Sequence, residues 1–288
     1  MIIGTRDSAL AMRQTEIFTE SLKRMHPKQR FTIKAMKSSG DLDLSAPLDQ
    51  LQGFGAFVRE LDAALLSEEI DVSVNSMKDM PVTMPEGLCV AAVLKRADVR
   101  DVILPLNINE LPLGAKVGTS SIRRKAELKA IRPDIIPLPL RGNIQTRLSK
   151  LDAGEYDSII LAKAGLDRLS LDRRMHILSL DSFVPAPAQG AIAIVCRSDD
   201  KSVREIVNKV NDPATETEVT LEREIMRMIG AGCSSPVGIN ASIEGECLRV
   251  RAVSFEAVPP MRLNALLPIE YSQKDLKKIS KKLGAVRG

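Results

Sequence analysis

Through its first two thirds the chain alternates stretches with apolar residues at every second position and stretches where they recur every three to four. That alternation confines it to the α/β class. Phe31, Ile33 and Ala35 follow the strand period, while Leu10, Gln14, Ile17, Phe18 and Leu22 lie along one helical face. Phe57, Val58, Leu61, Ala64 and Leu65 mark a second helix face. Ile70, Val72 and Val74 then alternate in a strand that runs into Asn75-Ser76-Met77-Lys78-Asp79. Open α/β sheets place their chemistry at such carboxyl ends of strands. Met80-Pro81 follows immediately, which predicts a turn at Asp79 rather than a helix.

A second unit starts near Lys116, where a short strand meets Gly118-Thr119-Ser120-Ser121 and a helix carrying Ile122, Ala126 and Ile131. The hydroxyls suit the helix N-cap, and the segment echoes Gly4-Thr5-Arg6-Asp7-Ser8 before the first helix. Glu155-Tyr156-Asp157 and the apolar run ending at Lys163 likewise echo Glu69-Ile70-Asp71 and the strand ending near Lys78. We read two similar α/β lobes. Residues 1–93 and 189–209 form the first, residues 97–184 the second, and the run from Ala191 to Cys196 returns to the first as a strand. A double crossing of this kind makes a cleft with a hinge. Residues 212–288 read as a small α+β domain: a helix around Glu216 to Met228, then Gly230-Ala231-Gly232-Cys233, two strands, and a final helix with Leu276, Ile279 and Leu283 on one face. Its lysines, 274, 277, 278, 281 and 282, read as a solvated face.

Composition narrows the function classes. Of 288 residues, 44% are hydrophobic and 27% charged, ordinary for a soluble protein; no apolar run approaches a membrane span, and no secretion signal opens the chain. A cytoplasmic location without membrane association is the expectation. Cys89, Cys196, Cys233 and Cys247 lack Cys-x-x-Cys spacing, and His26 and His176 lack partners at ligand spacing, so no metal is expected. The net charge is only +4, but Arg6, Arg123, Arg124, Arg141 and Arg147 sit beside turn elements whose amides also favour anions. That pattern points to an acidic small-molecule ligand. Nucleic acid is a weaker reading: there is no Trp and only 3% aromatic residues, against which stand the basic balance and the lysine-rich helix.

Three candidates keep two readings each. Cys233 lies in a glycine-rich turn that permits an approachable sulfur, yet an isolated cysteine is usually a small buried apolar residue, the reading given to Cys89, Cys196 and Cys247. Asp79 is either a cleft carboxylate or a turn carboxylate paired with Lys78. Arg123-Arg124 are either helix-surface charge or guanidinium groups set to take carboxylates through paired hydrogen bonds.

Taken together, the motifs resemble those of the porphobilinogen deaminases over nearly the whole chain. They are Gly4-Thr5-Arg6-Asp7-Ser8-Ala9-Leu10-Ala11, Phe57-Val58-Arg59-Glu60-Leu61, Ser76-Met77-Lys78-Asp79-Met80-Pro81, Gly118-Thr119-Ser120-Ser121-Ile122-Arg123-Arg124, Leu140-Arg141-Gly142-Asn143, Thr146-Arg147-Leu148, Leu161-Ala162-Lys163-Ala164-Gly165-Leu166, Gln189-Gly190 and Gly232-Cys233. The resemblance implies two periplasmic-binding-protein-like lobes with a hinge and a small α+β C-terminal domain. It implies a monomeric transferase of tetrapyrrole biosynthesis that condenses four porphobilinogen molecules head to tail, with loss of ammonia, on a dipyrromethane cofactor held by a thioether to Cys233. Porphobilinogen and the growing polypyrrole chain are then the partners. Asp79 is the implied catalytic residue, at the reacting pyrrole nitrogens. Lys78, Asp79, Ser120, Arg123, Arg124, Arg147 and Cys233 are the implied cofactor contacts. Arg6, Ser8, Thr119, Ser121, Arg141, Arg168 and Gln189 are the implied substrate contacts.

Two positions depart from the pattern. Asn75 stands where many bacterial members have His before Ser-Met-Lys-Asp, and Gly53-Phe54-Gly55 replaces a Gly-Lys-Gly segment, leaving Arg59 to supply positive charge beside a mobile lid read over Asp41 to Gly55. The main alternative is a non-catalytic cleft protein that closes on an acidic small molecule and needs neither Cys233 nor Asp79.

Overall fold

The computed structural model describes residues 1–37, 58–232 and 235–284. The chain opens with β1 (Ile2–Arg6), α1 (Ala9–Met25), β2 (Thr32–Met36), α2 (Arg59–Leu66), β3 (Val72–Ser76) and β4 (Leu88–Val93). It continues through β5 (Asp101–Leu104), β6 (Lys116–Gly118), α3 (Ile122–Ile131), β7 (Ile136–Leu138), α4 (Ile144–Asp152), β8 (Ser158–Ala162), α5 (Lys163–Arg168) and β9 (His176–Ile177). Then come β10 (Ile192–Arg197), α6 (Lys201–Asn208), α7 (Pro213–Met228), β11 (Val237–Glu244), β12 (Cys247–Ser254), β13 (Met261–Pro268) and α8 (Gln273–Lys282). The architecture is two α/β lobes built on mixed sheets plus a small C-terminal α+β domain.

The two lobe sheets follow one plan. The first has the order β2-β1-β3-β10-β4 and the second β7-β6-β8-β5-β9. In the first, β1 is parallel to β2 and β3, and β10 runs antiparallel between β3 and β4. In the second, β6 is parallel to β7 and β8, and β5 runs antiparallel between β8 and β9. Each lobe therefore has one reversed strand, and in each it is the strand nearest in sequence to a crossing of the chain. Contacts divide the chain into two compact units, residues 1–97 with 190–217 and residues 98–189 with 218–288.

Each core follows from the apolar periods. In the first unit Phe18 and Leu22 of α1 pack with Ile3, Val72, Val74, Ile192 and Ile194. In the second, Ile103, Val117, Leu128, Ile135, Ile160 and Phe183 form one cluster, and Val102, Leu104, Leu140, Ile159 and Leu161 another. Because β5 and β8 are buried on both faces, consecutive residues of each contribute to different clusters. Strand β2 is an edge strand with Ile33 41% exposed, so its alternation marks a strand without marking a buried face. The C-terminal sheet has three antiparallel strands, β11-β12-β13, one more than the sequence reading allowed. Strand β13 escaped because it is a mostly exposed edge whose Leu266 is 55% exposed, which blurs the apolar alternation.

Candidate functional site

In the first unit, segments distant in sequence meet around one recess of about 60 Å³. It is lined by Arg6, Ser8, Gln14, Asn75, Ser76 and Asp79, with Leu10, Ala11, Val58 and Val74 as apolar wall. Arg6 ends β1, and Ser8 caps α1, its hydroxyl accepting from the Ala11 N–H at 3.3 Å. Asp79 closes a single 3-10 turn, Met77–Asp79, that follows β3 directly, so the predicted turn is one tight helical turn. Beneath these, the Gln14 amide donates to Ser76 Oγ at 2.9 Å and Asn75 donates to Ser73 Oγ at 2.8 Å. Asn75, one of the departing positions, is thus a buried wall residue with a local partner.

The electrostatics of the recess are divided. A guanidinium and a hydroxyl line it beside the positive end of a 17-residue helix, and so does a carboxylate. A carboxylate fits the former and an N–H donor the latter. The volume suits one functional group, since whole small-molecule pockets run to about 300–1,000 Å³.

In the second unit the predicted arginines have different surroundings. Arg123 and Arg124 are 4% and 6% exposed and converge on Asp101, which is fully buried. Arg123 Nη2 donates to Asp101 at 2.8 Å, and its Nη1 to Glu127 at 2.7 Å and to the Val184 carbonyl at 2.8 Å. Arg124 donates to Asp101 at 2.7 Å and to the Ile160 carbonyl at 3.0 Å. Gln189 joins them, its amide donating to Asp101 at 3.0 Å and to the Val99 carbonyl at 2.7 Å. Burial raises the Asp101 carboxyl, but the two guanidinium groups outweigh it and hold it well below the usual range. Glu127 is buried and accepts from Arg123 and, at 2.6 Å, from the Val184 N–H; burial, with the Asp101 charge nearby, pushes it up to about 7 despite those two partners.

The remaining described candidates lie in loops and helix ends, Lys78 and Arg59 in the first unit and the others in the second. Thr119 Oγ1 accepts from the Ser121 N–H, Ser121 caps α3, and Ser120 exchanges hydrogen bonds with the Leu140 backbone at 3.0 Å. Arg147 Nε donates to the Gly142 carbonyl at 2.7 Å, turning the side chain back on the loop that carries Arg141. Arg168 ends α5, where burial lowers its guanidinium to about 10. Lys78 lies one residue before Asp79, and Arg59 opens α2 on the surface. Cys233 and the proposed lid over Asp41 to Gly55, Phe54 included, lie outside the described residues.

Sequence reading missed Asp101, Glu127 and Gln14. Asp101 had left a trace, a charged residue at the head of the apolar run Asp101-Val102-Ile103-Leu104. Glu127 left none, because an acidic residue four places after Arg123 looks like an ordinary surface pair.

Residues 1–205 match the family model described as porphobilinogen deaminase, dipyromethane cofactor binding domain. Solved structures also resemble the chain. YhfZ from Shigella flexneri is 16% identical with a TM-score of 0.38, over 78% of this chain and 93% of that one. The amino acid ABC transporter substrate-binding protein AbpA from Streptococcus pneumoniae, bound to L-arginine, is 14% identical with a TM-score of 0.41, over 75% and 88%. An arginine transport system periplasmic binding protein from Legionella pneumophila is 14% identical with a TM-score of 0.42, over 73% and 91%.

Several expectations drawn from the resemblance are corrected here to a coarser form. The condensation of four porphobilinogen molecules, the transferase activity in tetrapyrrole biosynthesis, porphobilinogen and the polypyrrole chain as partners, and the cytoplasmic location are not carried forward. At 14–16% identity and TM-scores of 0.38–0.42 the likeness to these solved structures reaches neither ligand nor activity. The thioether of a dipyrromethane to Cys233 is not carried forward either. Among the described residues no cysteine lines the recess, and the described cysteines, Cys89, Cys196 and Cys247, stand in strands β4, β10 and β12. Among the described residues no cluster suited to a metal ion occurs, and no helix is long and apolar enough to cross a membrane.

Proposed function

Because the chain belongs to the porphobilinogen deaminase family, matching it over residues 1–205, we propose that its first unit binds an acidic small molecule with one carboxylate against Arg6 and Ser8. The convergence of Arg6, Ser8 and Asp79 on one recess carries this reading. A carboxylate gains charge-assisted hydrogen bonds from the guanidinium and the serine, next to the positive end of α1. Asp79, which lines the same recess, accepts from an N–H of the same ligand. The dipyrromethane named in the family description has this combination, ring N–H groups and carboxylate side chains. In the second unit, Arg141 and Arg147 are candidates for carboxylates in their own right, whereas Arg123, Arg124 and Gln189 serve the frame around Asp101.

Titration calorimetry with a carboxylated dipyrromethane, compared with its methyl ester, tests the reading. Binding of the acid but not the ester is expected. Arg6→Leu is expected to weaken it roughly ten- to a hundred-fold, the loss of a hydrogen bond to a charged group at about 1.5–3 kcal/mol. Equal affinity for acid and ester, or an unchanged Kd in Arg6→Leu, overturns the assignment.

A further inference from the structure

Strands β4 and β10 bring two thiols face to face. Cys89 and Cys196 are directly opposed in the antiparallel register, and their Sγ atoms are 3.9 Å apart. Opposed residues in antiparallel strands have Cα atoms about 4.5–5.5 Å apart, inside the range of about 4.4–6.8 Å that a disulfide spans. The Cα spacing of an opposed pair therefore admits a disulfide. The two thiols differ in access. Cys196 is fully buried in the apolar core of the first unit, and its thiol donates to the Arg197 carbonyl at 3.3 Å. Burial, with Cys89 beside it, pushes that thiol up to about 12. Cys89 is half-buried and packs at the margin of the same core.

We propose that Cys89 and Cys196 form an oxidation site at which hydrogen peroxide closes an intrachain disulfide between β4 and β10. Cys89 meets the oxidant first: its sulfur attacks the peroxide, the O–O bond breaks, and a sulfenic acid forms with release of water. The Cys196 thiol then attacks the Cys89 sulfur, the S–O bond breaks, and its proton leaves with the hydroxide as a second water. Two electrons pass from the thiol pair to the peroxide. The bond joins residues 107 positions apart in the chain, stapling the reversed strand of the first lobe to its neighbour.

The test treats the full-length native protein with hydrogen peroxide, removes the peroxide, alkylates in denaturant and maps unreduced peptides by mass. The expected product is a single linked species containing Cys89 and Cys196, lighter by two hydrogen atoms and opened by a dithiol reductant. Recovery of both cysteines alkylated, an unlinked sulfinic acid at Cys89, or linkage of Cys89 to Cys233 or Cys247 overturns the proposal. In Cys89→Ala, Cys196 is expected to stay reduced under the same treatment. Its oxidation there overturns the order of events.

Discussion

At the residue scale, the buried polar groups divide those that hold the frame from those that face a ligand. Arg123 and Arg124 look like surface charge or ligand contacts when read in sequence, yet each is fixed by Asp101 and a backbone carbonyl. Only the fold supplies those acceptors, so local spacing carried no sign of them. Arg6 and Asp79, in contrast, were legible as candidates because each lies at the carboxyl end of an interior strand, β1 or β3, and Ser8 through the family motif that follows Arg6. Asp62 on α2 gives a pH-dependent test at this scale. Burial raises its carboxyl from 3.8 to about 6, so the folded protein holds that proton more tightly than the unfolded chain. The stabilising contribution is complete below pH 3.8 and is lost as the pH rises through about 6. Urea midpoints across this window are expected to fall more steeply with pH in the wild type than in Asp62→Asn, and parallel curves would contradict it.

At the element scale, glycines mark where elements approach too closely for a side chain. The Gly-Thr echo in the sequence has the same physical cause in both lobes. A Cβ on Gly4 would lie 2.3 Å from Ile70, and one on Gly118 would lie 2.9 Å from both Ile159 and Tyr156. Those neighbours are side chains, which can shift. Gly238 is stricter, since a Cβ there would stand 2.5 Å from the Val184 carbonyl oxygen. The adjacent Ile239 N–H donates to the Pro185 carbonyl at 3.0 Å, so β11 lies directly along that backbone. Gly238→Ala is expected to lower stability by about 1–3 kcal/mol and to cost more than Gly118→Ala; urea midpoints of the two variants decide it. Glu222, fully buried on α7, supports the same region by accepting from the Ala188 N–H at 2.6 Å and the Ala241 N–H at 2.7 Å.

At the scale of the whole molecule, the chain is two compact units, each with its own core, and local damage is expected to stay local. Asp101→Asn removes the charge that both Arg123 and Arg124 face, and breaking such a buried group costs about 3–5 kcal/mol. Hydrogen exchange is expected to quicken in β5, β6 and β8 while β1, β3 and β10 keep their protection; equal loss in both sets would show that the units unfold together. The amino-acid sequence by itself determined the alternating elements, the capped helices after Gly4-Thr5 and Gly118-Thr119, the return of β10 and the family to which the chain belongs. Those features rest on period, capping chemistry and local motif, which act within a few residues. Tertiary structure alone decided that Arg6, Ser8 and Asp79 share a recess, that Arg123, Arg124 and Gln189 close on Asp101, and that Cys89 faces Cys196. Each of those pairings joins residues that strand order brings together, and strand order is set by which apolar faces bury one another across the sheet.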